Sequence, residues 1–416
     1  MSQKTLQNYV PALTGVRALA AYLVFISHYE YAFDESFPQS VKRFLQEFHF
    51  GVTIFFVLSG FLIAYRYYNN FYLTTDWFKQ YLKNRVARIY PMYLLLTLGA
   101  FTYFYFTGDA QVTAGFAHPF GLLLMNVTFL RGFFNDLKFT GIAQGWSLTV
   151  EECFYFSAPF IFLVAKKYNK FYIQPLIVTG FGALLVLIFR NFDWYGFFGN
   201  FTFMMVYTFL GRCFEFFVGI QLALMIHKKG IQRSNKLLYT YIGIILVFIC
   251  PYLMSLLPIP AGWTAGLHNP LGIVVNNYLL AVSIAIFFYG LLTEGTVLKK
   301  VLSNKFVELL GKSSYIFYLI HLGYMYKYIH DGVEWLNDKV FEWYDKWGVD
   351  WHSPFEYDWL NLIFIFIILN GISILLFKTI EEPLNHYIRK SDFLIKNKSA
   401  DKVSHKDAAS ATANSK

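Results

Sequence analysis

The sequence predicts an all-α, polytopic membrane protein of about ten transmembrane helices with both termini in the cytoplasm. Three observations lead there. Of the 416 residues, 56% are hydrophobic and only 15% charged, against about 25% charged in an ordinary soluble domain, and the mean hydropathy is +0.42. Apolar runs long enough to cross a hydrocarbon core recur along the chain. Lys and Arg alternate between the loops that separate those runs.

In order, the runs fall near residues 11–33, 49–68, 90–106, 146–165, 172–190, 203–226, 237–257, 273–293, 307–329 and 360–380. Loops 66–89, 166–171, 227–236 and 294–306 carry 5, 3, 4 and 3 Lys or Arg, and the segment from Arg389 onward carries 7. The alternate loops 34–48, 107–145, 191–202, 258–272 and 330–359 carry 2, 2, 0, 0 and 2. Basic residues are retained on the cytoplasmic side, so this alternation orients a multi-pass protein of the cell (inner or plasma) membrane. A further apolar stretch, 116–129, is too short to span, and crossing there would invert every later loop. It is expected to be re-entrant or interfacial on the outer side.

Residues 1–390 therefore form one transmembrane domain. Residues 391–416 are expected to be a disordered cytoplasmic tail, rich beyond Lys396 in Lys, Ser, Ala and Asn and free of aromatics there. The three cysteines, Cys153, Cys213 and Cys250, all sit in apolar stretches and read as small buried residues, not a disulfide framework. No cleavable signal peptide is expected, because the first apolar run carries Arg17 inside it with no small-residue cleavage site after it. The net charge of +9 is accounted for by loop placement. The bilayer is the expected surroundings and nucleic acid is not an expected partner.

Within the first run, Arg17 and His28 lie eleven residues apart, almost three turns, and so share a helix face about 16 Å apart along the axis. Ionisable groups at membrane depth are costly and face polar cavities. A structural, hydrogen-bonded histidine is the bland alternative for His28. In 55–63 the Ser59-Gly60 step permits close helix packing. Arg85 and Arg88, three apart before Ile89-Tyr90-Pro91, could grip a phosphate bidentately, or simply anchor the third span. Ser147 and Glu151 are four apart on one face at the start of the fourth span, and Glu152 adjoins them. Helix-start capping explains one of these carboxylates but not readily both. Arg212 and Glu215 at i, i+3 read as a self-compensating pair. His321 stands midway through the ninth run, where a satisfied core histidine is again the alternative. The outer loop 330–359 holds eight Asp or Glu and five of the nine tryptophans, Trp335, Trp343, Trp347, Trp351 and Trp359. It reads either as a sugar-binding surface or as an interfacial aromatic belt. No nucleotide-binding glycine loop and no metal-ligand spacing of Cys and His occurs, so no metal is expected.

Taken together, these segments resemble the acyltransferase-3 family of integral-membrane O-acyltransferases. Arg17 and His28 with ten residues between them match, as does 55–63 for Phe-Phe-x-Leu-Ser-Gly-Phe-Leu. Arg85 and Arg88 match the paired arginines, and Trp146-Ser147-Leu148 with Glu151, Phe154 and Tyr155 the Trp-Ser-Leu-x-x-Glu segment. Ser314-Tyr315 with Tyr318 and His321 resembles Ser-Tyr-x-x-Tyr-Leu-x-His, and Glu382-Pro383 the closing Glu-Pro. Thr53 departs from the pattern, standing where an acidic residue is expected. The chain also lacks the hydrolase-like extracytoplasmic domain appended in some relatives, so on this reading it corresponds to the membrane domain alone.

The resemblance implies transfer of an acyl group, acetyl above all, from cytoplasmic acyl-CoA (acetyl-CoA) to a hydroxyl of an extracytoplasmic glycan or glycolipid. It implies a catalytic set of His28, Glu151, Ser147 and His321, with Glu151 and Ser147 in the cavity of His28, and donor binding by Arg17, Arg85 and Arg88. A proton-coupled transporter is the competing class, since intramembrane Arg, His and Glu also build proton relays. Paired cytoplasmic arginines suit nucleotide phosphates and serve no proton path.

Overall fold

Pro11 opens α1 (Pro11–His28), its fixed φ and missing N–H suiting a helix's first turn. The computed structural model describes residues 9–29, 37–72, 74–110, 112–113, 115–192, 194–231, 238–348 and 358–391. After α1 come a short helix α2 (Gln39–Gln46), α3 (Gly51–Tyr67), α4 (Thr75–Thr107), α5 (Pro119–Val127), α6 (Gly145–Tyr168) and α7 (Gln174–Phe189). The second half has α8 (Phe201–Tyr207), α9 (Phe209–Lys229), α10 (Leu238–Ser255), α11 (Pro270–Val274), α12 (Leu280–Thr293), α13 (Val297–Leu302), α14 (Lys305–Ile320), α15 (Tyr324–Lys346), α16 (Asp358–Leu376) and α17 (Glu382–Lys390). Among the described residues the only strand-like pairing is an isolated bridge between Phe134 and Phe197.

Among the described residues, eight helical stretches are long and apolar enough to cross a membrane: α1, Gln39–Tyr67, α4, α6, Phe201–Lys229, α10, Pro270–Thr293 and Asp358–Lys390. The two remaining expected spans are α7, apolar but only 16 residues, and α14, also 16 residues. The stretch 116–129 contains only the nine-residue α5, short of a span.

The boundaries differ from the hydropathy reading in four places. The first helix stops at His28, not residue 33. The ninth stops at Ile320, where Gly323 at φ 75° turns the chain into α15; an apolar run carries no mark of such a turn. Much of the expected outer loop is thus the 23-residue α15, whose Trp335 and Trp343, like Trp347 just after it, are exposed. Trp351 and the tail beyond Ser391 lie outside the described residues. Finally, α4 begins at Thr75 rather than near residue 90, so Arg85 and Arg88 sit inside a continuous 33-residue helix, about 50 Å long.

The centre of the bundle is built by close approach. α3 packs along α9, and α1 is clasped between α3 and α14. A Cβ at Gly60 would strike the Phe216 carbonyl, and one at Gly311 would strike that of Thr14. Small residues where backbones meet are the rule for helices in lipid.

Candidate active site

Two polar regions lie along α1. The first, towards the N-terminal end of α1, is a cavity of about 410 Å³ reached by α1, α3, α4, α6, α14 and α17. Six basic side chains line it, Arg17, Arg66, Arg85, Arg88, Lys312 and Arg389, against three carboxylates, Glu151, Glu381 and Glu382. The Arg85 guanidinium lies over the rings of Tyr67 and Tyr155, at 5.8 and 5.6 Å. Tyr81 donates to the Tyr155 carbonyl at 3.0 Å and Tyr315 to that of Ile89 at 2.8 Å, fixing the walls. Nε of Arg17, Arg85 and Arg389 have no hydrogen-bond partner, nor has Oε2 of Glu381. An excess of unneutralised guanidinium in a sheltered cavity is chemistry for a polyanion such as a phosphate ester.

The second region begins at the other end of α1. The rings of His28 and His321 are 5.5 Å apart, because α1 and α14 end side by side. His28 is exposed, whereas His321 is fully buried. Nδ1 of His321 lies 2.8 Å from the Tyr318 carbonyl. A carbonyl only accepts, so Nδ1 carries the hydrogen and Nε2 of the neutral ring is an acceptor; Nε2 has no partner. Tyr29 donates to the His321 carbonyl at 2.6 Å, tying the two helix ends together. Ser147 Oγ donates to the Gln144 carbonyl at 2.9 Å and stands 2.8 Å from the Tyr318 hydroxyl. The Tyr318 ring in turn lies 5.6 Å from that of His321.

The expected site residues therefore divide in two. Arg17, Arg85, Arg88 and Glu151 line the arginine cavity; His28, His321 and Ser147 group around Tyr318 in the second region. Glu151 and Ser147 were expected in one cavity with His28. One turn of α6 parts them instead, and Glu151 accepts from Ser59 inside the arginine cavity. Ser59, which the sequence suggested only as a packing residue, thus holds a carboxylate.

Glu381 and Arg389 were missed as site residues. The basic tail masked Arg389, while Glu381 reaches the cavity from the wide turn Phe377–Glu381 that joins α16 to α17. Arg212 behaves as the sequence suggested, its guanidinium bound to Glu215, to the Val206 carbonyl and to Thr53 Oγ1 at 3.0 Å. Glu215 supplies the anion for Arg212, and Thr53, where an acidic residue was expected, contributes a hydroxyl. One surface group, His330, Asp331 and Glu334, has metal-ligand spacing, on exposed α15.

Comparison with known proteins decides the family. A profile described as an acyltransferase domain, that of the acyltransferase-3 family, matches residues 10–378. The chain belongs to the acyltransferase-3 family. Among similar proteins, O-acetyltransferase OatA of Staphylococcus aureus is 26% identical over 330 residues, covering 76% of this chain and 50% of that protein. Acyltransferase MdmB of Streptomyces mycarofaciens is 27% identical over 170 residues, 38% of this chain and 40% of its own. Peptidoglycan O-acetyltransferase OatA of Listeria monocytogenes is 28% identical over 198 residues, 43% of this chain and 28% of its own. The chain spans about half the length of the Staphylococcus relative. No solved structure matches. Membership of the acyltransferase-3 family favours the enzyme class over the proton-coupled transporter.

Proposed function

We propose that the protein is a membrane O-acyltransferase that moves an acyl group, acetyl above all, from cytoplasmic acyl-CoA to a hydroxyl of an extracytoplasmic glycan or glycolipid. The observation that carries this reading is the pairing, along α1, of a cavity with three more cations than anions around Arg17 with a histidine pair at the helix's far end. Eleven residues separate Arg17 from His28, about 16 Å, a distance suited to a donor whose phosphates are held at one end and whose thioester reacts at the other.

Arg17, Arg85 and Arg88 would bind the phosphates, with Arg389 closing the same cavity. The His28 imidazole would take the proton from the acceptor hydroxyl as its oxygen attacks the thioester carbonyl carbon. The carbon–sulfur bond then breaks, and the CoA thiolate leaves and recovers the proton from the imidazolium. A neutral imidazole suits that exchange near neutral pH. His321, with Nδ1 held by its own helix, presents an acceptor nitrogen beside His28, and Ser147 fixes Tyr318 between α6 and α14. The Listeria relative is named a peptidoglycan O-acetyltransferase, which supports a cell-envelope glycan here.

The test is reverse-phase analysis of ester-linked acetate on envelope glycans from cells with and without the gene. Loss of those esters on deletion, with recovery on complementation, is expected. Unchanged esters would contradict the proposal.

A further inference from the structure

Polar groups without partners gather where α6 begins. Gln144, immediately before α6, is 3% exposed, and its carbonyl receives both Ser147 Oγ and, at 3.4 Å, the Tyr318 hydroxyl. Its side chain does not cap the helix, and neither Nε2 nor Oε1 has a hydrogen-bond partner. Nε2 of His321, on the far side of Tyr318, is likewise unmatched. His49, in the helical turn Glu47–Phe50, uses Nδ1 on the Gln46 carbonyl at 2.9 Å. Its Nε2 makes no hydrogen bond, the Glu47 carboxylate standing 4.0 Å away. His49 is within electrostatic reach of His28. Buried polar groups are almost always paired, so unmatched ones beside a reacting pair call for a polar ligand.

Charge decides which kind. The buried cations described in this half are each engaged by protein partners, with Nε of Arg131 alone among their nitrogens left unmatched. Arg212 is bound to Glu215, Thr53 and Val206. Arg131 serves the carbonyls of Lys138, Thr140 and Ile142. Lys138 is held by the carbonyl and side chain of Asn135. What stays unmatched is the carboxamide of Gln144, imidazole nitrogens of His49, His268 and His321, Asn126 Oδ1, Arg131 Nε and one carboxylate oxygen, Oε2 of Glu47, a mixture of donors and acceptors that includes an anion. Sugar hydroxyls offer the same mixture, whereas an anion would need donors alone.

We propose that Gln144, assisted by His49, binds the hydroxyls of the acceptor sugar beside the one that reacts, and that this end of the bundle takes a neutral polyhydroxylated surface in preference to an anionic one. The proposal rests on the acyl-transfer reading above.

The test uses the full chain in detergent with radiolabelled acetyl-CoA and two probes, neutral chitotetraose and anionic tetragalacturonate. Transfer to chitotetraose and not to tetragalacturonate is expected. Gln144→Met should raise the KM for chitotetraose about tenfold, the loss of one neutral hydrogen bond, with acetyl-CoA affinity unchanged, and Gln144→Asn should recover part of the loss. Preference for the anionic tetramer, a wild-type KM in Gln144→Met, or an effect on acetyl-CoA affinity instead would overturn the proposal. So would wild-type protein that binds acetyl-CoA yet acetylates neither tetramer. Wild-type protein that binds no acetyl-CoA would overturn the acyl-transfer reading beneath it.

Discussion

His28 and His321 stand with their rings 5.5 Å apart although 293 residues separate them in sequence. Each ends its helix at the same end of the bundle, one exposed and one buried. General base catalysis contributes about 10²- to 10⁴-fold, so His28→Ala should lower acetyl transfer by that factor while the protein remains folded by size-exclusion chromatography. Groups acting as a unit are not additive. His28→Ala combined with His321→Ala should therefore be little slower than His28→Ala alone; multiplicative losses would mean that the two rings act separately.

Donor affinity should depend on the arginines. A charge-assisted contact contributes about 1.5–3 kcal/mol, so Arg85→Ala and Arg88→Ala should each weaken acyl-CoA binding about 10- to 100-fold, read by calorimetry. Affinities equal to wild type in both would remove the phosphates from this cavity.

Glu151 lies among those cations. Replacing its charge in Glu151→Gln keeps an oxygen for Ser59 and removes a repulsive anion, so acyl-CoA should bind at least as tightly as to wild type. A tenfold loss by the same titration would instead mean that the carboxylate holds Arg17 in place.

Stability has its own test at Glu294, outside the spans. Its carboxylate accepts the backbone N–H of Leu238, Tyr239 and Thr240 at 3.0, 2.7 and 2.9 Å, together with the Thr240 hydroxyl, capping α10 from the end of α12. Burial pushes its pKa up, but the bonds from Thr240, Tyr239 and Leu238 outweigh that and hold it below the usual carboxylate value. A depressed pKa means stabilisation present above the ordinary carboxylate range and lost as pH falls through the folded value. Glu294→Gln should cost about 1–2 kcal/mol at pH 7, and its melting temperature should fall less on acidification than that of wild type. Parallel pH curves for the two would remove the cap from the account.

Much of this was legible in the sequence, for identifiable reasons. Apolar runs marked the helices because only long apolar stretches cross a hydrocarbon core, and the spacing of Arg17 and His28 placed them on one helix because a helix has a fixed period. The stop after Ile320 was not legible, since hydropathy runs on through Leu322 and a single left-handed glycine makes the turn. Glu151 was matched correctly to its segment but not to its cavity, because a 3.6-residue period says which face a side chain takes and not where one cavity ends and another begins. Gln144 and the Glu294 cap carry no periodic signal, and only the meeting of distant helices reveals them.

The central claim is that donor and acceptor meet through the bilayer at His28. It is tested most directly in sealed proteoliposomes holding radiolabelled acetyl-CoA only on the face of Arg85 and Arg88, with a glycan acceptor only on the face of His28. The account predicts ester-linked label on the acceptor with wild-type protein and almost none with His28→Ala. Label that appears only when both substrates share one face, or equally with His28→Ala, would contradict it.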